Sequence, residues 1–500
     1  MKKETAWFKN KLIKLGKTWG CCTLVLFLCY AMLIMKHYSI DSYAEYWRTG
    51  YGQFFAQGRF VTGIFMQLLG AMGLNAVTLQ PLFTMFFIAA AGLCAASIWL
   101  ILRYYMAEKA DSLWVKIGLW TAVFIMFVNV SLLEWLLFPE LAFPFALALI
   151  SSTGAALLMG VKSNVKSAAA AILLLTVAFG CYQICIEQYL ILALLVVVVR
   201  HKLYFSKSLA VEMLWIIGTG GLAAGINVVI QKFSQSGLDT RSVSLSLETL
   251  LKNAQKVLKY QKQIWVDGYG LMQRGTVIGI LCIVLAALLF FVIKGKLPVA
   301  KQVTVLVLLV AGYGAIWVPH MVTSDAWILP RTVVGVYWFI AMVLVLALYS
   351  GTYKFFEKIL VILSVGFGLI CAFNVQNTAA SHIATNKLDA ELARAAVLYI
   401  QEYETENSTQ ITKLAFCDDA ILKPKYSSVV YQSYDINIPA LNVTWGRTPL
   451  FNYVLGEERY TSAEMDATVY AQYFEGKNWN YFNPSEQIVF VGDTAYIAIY

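Results

Sequence analysis

Long apolar stretches, separated by short polar and basic segments, make up most of the first 375 residues of the chain. A helix needs about 17–25 apolar residues to cross the hydrocarbon core of a bilayer. The pattern therefore predicts about eleven transmembrane helices, with a tight hairpin between the fifth and the sixth. The predicted spans are residues 19–36, 77–102, 114–132, 141–161, 167–183, 185–200, 211–231, 276–293, 302–320, 331–350 and 355–375.

Two further stretches have the pattern of helices that lie along a membrane surface. Residues 60–75 are apolar but too short to span, and Gly63, Gly70 and Gly73 interrupt them. In residues 245–265, lysines recur every three or four positions with apolar residues between them, which is typical of an amphipathic helix. We expect both at the outer interface, although a plain solvated face is an open alternative for the second.

From residue 376 the pattern changes to that of a water-exposed region. Residues 377–405 carry leucines and alanines at helical spacing, and short β-like runs follow, separated by turn residues. The β-like runs are 414–416, 429–431, 488–491 and 496–499. The fold class predicted for the whole chain is thus a polytopic α-helical membrane domain over 1–375, followed by a small α/β domain over 376–500.

Composition supports this class. Hydrophobic residues make up 59% of the chain and charged residues only 13%, whereas soluble domains average about 25% charged. The net charge of +9 does not indicate nucleic-acid binding, because the lysines and arginines cluster in short loops between apolar runs, as the positive-inside rule describes. Eight of the nine cysteines lie in apolar runs, so we expect buried thiols and no disulfide framework.

The same charges predict an orientation. The N-terminus is rich in lysine, and no small-residue cleavage site follows its apolar run, which favours a retained first helix over a removed signal peptide. With the N-terminus inside the cell, eleven spans leave the basic loops in the cytoplasm. The 37–76 loop, the 232–275 loop and the C-terminal domain then lie outside.

The 37–76 loop contains the first candidate catalytic group. Asp41 and Glu45 are four residues apart, so a helical turn would bring both carboxylates to one face, where either could accept a proton. The alternative is that they are ordinary loop acids that cap the next helix.

Three arginines are candidates for binding a phosphate. Arg59, Arg274 and Arg331 each stand at the predicted outer end of an apolar segment, against the positive-inside bias. Planar guanidinium groups bind phosphate oxygens well, and an anionic partner would explain their position. Interface anchoring is the alternative for each of them taken singly.

Other polar residues fall at the same predicted boundaries, where ionisable groups are costly and often functional. They are Glu134, Glu140, Tyr182, Gln183 and His320. The chain has no zinc-ligand spacing, no phosphate-binding glycine loop and no Asp-x-Asp pair, and the nearest pair of acids is Asp418-Asp419 in the C-terminal region. We therefore predict no cofactor and no bound metal.

The order of several short motifs resembles the type II Gtr glucosyltransferases, which are bacterial membrane enzymes of the GT-C class. The motifs are Tyr38-Ser39-Ile40-Asp41-Ser42-Tyr43, Gln57-Gly58-Arg59-Phe60, Glu134 with Glu140, Gly180-Cys181-Tyr182-Gln183 and Pro330-Arg331-Thr332. The resemblance covers roughly residues 1–395. It implies a donor of glucose linked to undecaprenyl phosphate, and an acceptor that is a surface polysaccharide such as O-antigen or teichoic acid.

Together, these observations predict an inverting, metal-independent transfer at the outer face of the bacterial cytoplasmic membrane. Asp41 would be the base, Arg331 with Arg59 or Arg274 would hold the leaving phosphate, and other acids would orient the sugar. A flippase and a polyprenyl-phosphate sugar synthase would be natural partners. Two other classes stay open, a polysaccharide or lipid-linked sugar transporter and a membrane scaffold. A transporter would more often show internal repeats and charges near mid-membrane.

Overall fold

The computed structural model describes residues 2–48, 50–109, 112–234, 243–244, 246–417, 435–479 and 481–499. Helices dominate it. In chain order they are α1 (Lys2–Tyr30), α2 (Ser42–Trp47), α3 (Gly52–Ala56), α4 (Phe60–Ala71), α5 (Gln80–Tyr105), α6 (Leu113–Phe127), α7 (Val130–Leu136), α8 (Ala142–Val161), α9 (Val165–Cys181), α10 (Cys185–Arg200), α11 (Lys207–Ser234), α12 (Leu247–Gln261), α13 (Thr276–Lys294), α14 (Val299–Met321), α15 (Gly335–Ser350), α16 (Lys354–Asn407), α17 (Thr444–Leu455), α18 (Ala467–Val469) and α19 (Pro484–Gln487).

Each of the eleven predicted spans overlaps a helix, but the helices differ in length. Within the described residues, seven are long and apolar enough to cross a membrane, and α6 with α7 would be an eighth if the bent pair counts as one span. The helices α9, α10 and α15 have only 17, 16 and 16 residues. The seven or eight helices indicate a membrane protein, while the predicted number of about eleven spans is not confirmed.

Two of the short helices form the centre of the bundle. Nearly every residue of α10 and α15 is buried, including the valine run at the end of α10. A helix that is apolar all round is buried either in a protein core or in a membrane. Here α8, α11, α14 and α15 pack around α10, and α6, α13 and α14 pack around α15. Their shortness is therefore compatible with their position, because both are enclosed by protein.

A bend of 46° separates α6 from α7. Asn129 stands at the break, where its side-chain amide donates to the carbonyls of Ile125 and Met126. Its side-chain oxygen accepts a hydrogen bond from the N–H of Leu132 and so caps the start of α7. One asparagine thus satisfies polar groups of both helix ends, and the bend places Glu134, on α7, close to the turn that carries Arg331.

The two stretches expected at the membrane surface are helical. The first, α4, has 12 residues and ends at Ala71, shortly before Gly73 with its positive φ of 69°. The second, α12, packs against α14 and leaves Leu247, Leu251 and Leu258 exposed. These leucines share one face of the helix. Where α4 and α12 lie relative to a bilayer stays a prediction.

The last part of the chain continues directly from the membrane helices. α16 runs without a break through residue 376 and ends at Asn407. A small sheet follows, in the order β2-β1-β4-β3, with β1 (Lys413–Phe416) parallel to β2 (Thr461–Ala463) and to β4 (Thr494–Ile497), and with β3 (Ile488–Val491) antiparallel to β4. The strands predicted at 414–416 and 488–491 are confirmed, and the one predicted at 496–499 begins two residues earlier. The run at 429–431 and the pair Asp418-Asp419 lie outside the described residues.

Candidate functional site

A polar cavity of about 340 Å³ opens between the 41–59 segment, the start of α8, the turn before α15 and the start of α17. Six of the residues singled out from the sequence line it. They are Asp41, Glu45, Arg59, Glu140, Tyr182 and Arg331. Asp41, Glu45 and Glu140 supply carboxylates to its wall, and Arg48, Arg59 and Arg331 supply guanidinium groups. Charges of both signs therefore face one small volume, as a site for a sugar and a phosphate requires.

Asp41 immediately precedes the first turn of α2. Its side chain does not cap that helix, in contrast to the capping alternative. Instead, Oδ1 accepts a hydrogen bond from the indole N–H of Trp445 at 3.0 Å. Burial raises the pKa of the Asp41 carboxyl above its usual value, although the Trp445 hydrogen bond and the nearby Arg331 lower it. A carboxylate with a raised pKa is a stronger base near neutral pH.

Glu45 lies one turn further along α2, and its side chain is only 8% exposed. Its Oε1 is 2.8 Å from Nη1 of Arg48 and accepts a hydrogen bond of 2.9 Å from the Gln53 side chain. Burial raises the pKa of Glu45 to about 7, against the lowering effect of Arg48. Glu45 therefore changes protonation state close to neutral pH.

Glu140 is held by neutral donors. It lies in the turn of residues 139–141 that leads into α8, and is 1% exposed. The Ser42 hydroxyl donates to Oε2 at 2.6 Å and the Ser39 hydroxyl donates to Oε1 at 3.1 Å. Buried carboxylates are costly unless they are hydrogen-bonded, so the two serines explain how Glu140 is tolerated beside the cavity. They also connect α8 to the Asp41 loop.

Arg59 is positioned by a turn that membrane helices hold in place. The carbonyls of Gln57 and Gly58 accept hydrogen bonds from the side chains of Gln183 and Asn227, at 2.7 and 2.8 Å. Gly58 has a φ of 74°, and a Cβ there would be 2.9 Å from the Gln183 amide nitrogen, so the turn requires glycine. The guanidinium of Arg59 then lies 5.0 Å from the centre of the Tyr182 ring, which is cation–π geometry.

Arg331 is the most strongly fixed cation of the cavity. Its backbone N–H donates to Oε2 of the fully buried Glu134 at 2.5 Å, and its Nη1 pairs with the other oxygen of the same carboxylate. Its Nη2 is 2.6 Å from Asp435, and its guanidinium lies over the ring of Phe138. Glu134 is therefore the partner that holds Arg331 in position, and it does not itself line the cavity.

His320 belongs to a layer behind this turn. Its Nε2 donates to the carbonyl of Thr332 at 2.6 Å and is 3.8 Å from Oε1 of Glu187. Glu187, also fully buried, accepts a hydrogen bond of 2.6 Å from the N–H of Gly335, the first residue of α15. A carboxylate at a helix N-terminus is a favourable arrangement. His320 and Glu187 therefore stabilise the segment between the Arg331 turn and the start of α15.

Besides Glu134 and His320, two more of the predicted site residues lie outside the cavity lining. Gln183 anchors the Arg59 turn from outside the cavity lining. Arg274 is 74% exposed, lies 3.4 Å from Asp267 and is not among the cavity residues. It stands just before α13, whereas the cavity is built around α2, α8, α15 and α17. The common boundary position predicted for the three arginines therefore does not bring Arg274 to the other two.

Sequence reasoning missed two residues that the last part of the chain contributes. Trp445 contacts Asp41 from 404 positions away, and Asp435 contacts Arg331 from 104 positions away. No local pattern marks either of them, because each takes its role from the tertiary fold. Arg48 and Gln53, by contrast, lie in the loop that already stood out, and their proximity to Glu45 could have been a signal.

The three carboxylates of the cavity are separated from one another. Within the part of the chain that the structure describes, no group of three or more His, Cys, Asp or Glu side chains is close enough to hold one metal ion. Each acid has its own hydrogen-bond partners, Trp445 for Asp41, Gln53 for Glu45 and the two serines for Glu140. The arrangement can therefore offer several distinct acceptors to the hydroxyl groups of a sugar.

Comparison with known proteins agrees with the resemblance seen in the motifs. No curated protein sequence matches the chain significantly. The family model described as glucosyl transferase GtrII matches residues 30–348, which is well over half of the chain. The match includes α2, the Arg59 turn, both acids of the 134–140 segment and Arg331. The chain belongs to the GtrII family of glucosyl transferases.

Proposed function

We propose that the protein transfers a hexose, most simply glucose, from an undecaprenyl-phosphate donor to a cell-surface polysaccharide. The observation that carries this proposal is the cavity itself, in which three carboxylates and three guanidinium groups face one another. Membership of a glucosyl transferase family supports the reaction class. The apolar helices around the site support a lipid-linked donor, because its long isoprenoid chain needs a membrane.

In the proposed reaction, an acceptor hydroxyl attacks the anomeric carbon of the donor sugar from the face opposite the phosphate. Asp41 takes the hydroxyl proton as the new C–O bond forms. The bond from the anomeric carbon to the phosphate oxygen breaks, and its electron pair leaves with the polyprenyl phosphate. Arg59 and Arg331 stabilise the developing phosphate charge. The configuration at the anomeric carbon is inverted, and no covalent enzyme intermediate is formed.

The remaining acids have supporting roles in this proposal. Glu45 and Glu140 accept hydrogen bonds from sugar hydroxyls, while Glu134 keeps Arg331 in place. We place the cavity at the outer face of a bacterial cytoplasmic membrane, with the N-terminus inside and the C-terminal region outside. The donor then comes from a polyprenyl-phosphate sugar synthase and a flippase. O-antigen and teichoic acid are the acceptor types that this location suggests.

The test measures transfer of radiolabel from undecaprenyl-phosphate glucose to envelope polysaccharide. Membranes containing the wild type are compared with membranes containing Asp41→Asn. Loss of a general base typically costs a factor of about 100 or more in rate. The matched control is Asp325→Asn, which removes an exposed aspartate that pairs with Lys252 and Lys256 outside the cavity.

Two outcomes would count against the proposal. A folded Asp41→Asn protein that transfers at the wild-type rate would remove Asp41 as the base and direct attention to Glu45 and Glu140. Failure of the wild type to transfer from a panel of polyprenyl-phosphate hexoses would overturn the donor assignment and favour the transporter class.

A further inference from the structure

Trp445 lies at the edge of the cavity and is half exposed. Its side chain lines the polar cavity, yet 53% of the residue remains exposed to solvent. Its indole N–H donates to Asp41, the proposed base, at 3.0 Å. A large aromatic ring that is left half exposed beside a cluster of charges forgoes the free energy that its burial would yield, about 25 cal/mol per Å² of apolar area. Such a ring is suited to be covered by a ligand.

Two contacts hold the start of α17 against the segment that carries Asp41. Gly446 follows it, and a Cβ at Gly446 would lie 2.8 Å from the carbonyl oxygen of Ala440 and 3.4 Å from that of Ile40. The absence of a side chain at Gly446 thus lets the backbone of α17 come close to the residue that precedes Asp41. The Trp47 indole also donates to the carbonyl of Pro449 at 3.2 Å, so α17 contacts both the residue before Asp41 and the end of α2.

A cluster of tyrosines strengthens the same contact. The rings of Tyr43 and Tyr46, on α2, lie 5.5 and 5.1 Å from that of Tyr453, on α17, and the hydroxyls of Tyr38 and Tyr453 are hydrogen-bonded. Aromatic pairs at such distances contribute about 0.5–1.5 kcal/mol each beyond their buried area. These contacts hold α17, which carries Trp445, against α2 and the Asp41 loop.

We infer that Trp445 binds the acceptor, with its indole ring packed against the apolar C–H face of a pyranose ring, while its N–H orients Asp41 toward the hydroxyl that attacks. This inference rests on the proposed function and adds the acceptor subsite to it. The positive edges of C–H groups are attracted to the negative face of an aromatic ring. The hydrogen bond to Asp41, the proposed base for the acceptor hydroxyl, is what favours the acceptor over the donor sugar as the group that this ring contacts.

Trp445 lies outside the part of the chain that the family model matches, because the match ends at residue 348. Donor chemistry would then be served by residues inside the match, and acceptor contact by a residue outside it. Tryptophan also anchors proteins at membrane interfaces, but anchoring requires neither a hydrogen bond to an acid nor a place in a polar cavity.

The kinetic test uses the full-length protein in lipid nanodiscs, with undecaprenyl-phosphate glucose as the donor and polysaccharide released from the source cell by mild acid as the acceptor. In Trp445→Ala, the acceptor KM should rise about tenfold, equivalent to about 1.4 kcal/mol, while the donor KM stays unchanged. Tyr481→Ala is the matched control, because it removes another exposed aromatic ring of the C-terminal region that does not line the cavity.

A second variant separates the two roles of the indole. Trp445→Phe keeps an aromatic face but loses the N–H, so the acceptor KM should stay within about threefold of the wild type. Since the indole hydrogen bond lowers the pKa of Asp41, its loss should move the acidic limb of the pH–rate profile to higher pH. An unchanged profile would refute the orienting role.

A third measurement needs neither a variant nor turnover. Oxidation of Trp445 in the wild type by N-bromosuccinimide, followed by peptide mass spectrometry, should slow when the released polysaccharide is added, whereas oxidation of the partly exposed Trp19 should not. Equal oxidation rates at Trp445 with and without saturating polysaccharide would overturn the acceptor assignment. A rise in donor KM, or equal rises in both KM values, would overturn it as well. Because protection requires no transfer, it stays informative even if the proposed donor is wrong.

Discussion

Two neighbouring regions of the cavity hold their carboxylates in different ways. In the acidic wall, formed by Asp41, Glu45 and Glu140, each acid accepts a hydrogen bond from at least one neutral donor, and only Glu45 also pairs directly with an arginine. In the arginine turn, residues 330–332, the fully buried Glu134 receives both the backbone N–H and the guanidinium of Arg331.

The two kinds of partner suit a carboxyl group to different roles. A neutral donor fixes the direction of a carboxyl group without pairing it to a cation, so the acids of this wall can still exchange hydrogen bonds with a sugar. A direct ion pair neutralises the charge and orders both partners, so Glu134 serves to place Arg331. We therefore expect Asp41 and Glu140, which have no arginine partner, to be more available to a substrate than Glu134.

The largest expected effect comes from breaking the ion pair of the arginine turn. Arg331→Met leaves the buried Glu134 without its cation, which should lower the free energy of unfolding by about 3–5 kcal/mol. Thermal unfolding in detergent would show this as a reduced Tm. The control is Arg274→Met, where the lost partner is exposed and the cost should be at most about 0.5 kcal/mol.

A double variant sharpens this prediction. Arg331→Met combined with Glu134→Gln removes both charges, so most of the lost stability should return while transfer stays low. Equal Tm values for Arg331→Met and Arg274→Met would show that the buried pair is not what holds the turn together.

The next effect concerns the acidic wall and pH. The pKa of Glu45 is raised from 4.5 to about 7, so between these values the folded protein binds a proton that the unfolded chain does not. The contribution of Glu45 to stability is therefore present at low pH and lost as pH rises through about 7, by about 1–3 kcal/mol in total. Glu45→Gln should remove this dependence.

The measurement compares Tm for the wild type and Glu45→Gln at pH 5 and pH 8. The variant should gain relative to the wild type at pH 8, because the wild type then has a buried charge. Glu475→Gln, at an exposed position, provides the control. A Tm difference between variant and wild type that is the same at both pH values would contradict the assigned direction.

The smallest effect concerns a single neutral donor. Ser42→Ala removes the hydroxyl that donates to Glu140 at 2.6 Å, and should cost about 1 kcal/mol of stability. Its effect on transfer should be modest, because the Ser39 hydroxyl still donates to the same carboxylate. Ser485→Ala, which alters an exposed serine of the C-terminal region, is the control for both readings. A complete loss of transfer in a stable Ser42→Ala protein would mean that Glu140 is held differently.

The sequence located residues of one cavity where they lie close together along the chain. Asp41, Glu45 and Arg59 share one short loop, and α2 brings the two acids to the same cavity, as their spacing of four suggests. It was less informative where the location depends on direction around the bundle. Arg274 and Arg331 have the same boundary pattern, yet only Arg331 lines the cavity.

For the fold, too, the sequence predicted local features better than features that depend on packing. Apolar runs located the helices, because hydropathy is a local property, but the number of spans was not confirmed because several helices are too short by themselves. Enclosure of α10 and α15 by other helices is a property of packing that no single run expresses. Trp445 is the extreme case, since its contact with Asp41 joins positions 404 residues apart.

That contact has a consequence for the order in which the protein is made. Asp41 emerges from the ribosome among the first residues, and the helices of the family match follow it, but the cavity rim is incomplete until α17 has been added. A chain interrupted after residue 348 would contain every element of the match and still lack the partner of its proposed base. We therefore expect a chain that ends at residue 348 to transfer sugar less efficiently than the whole protein.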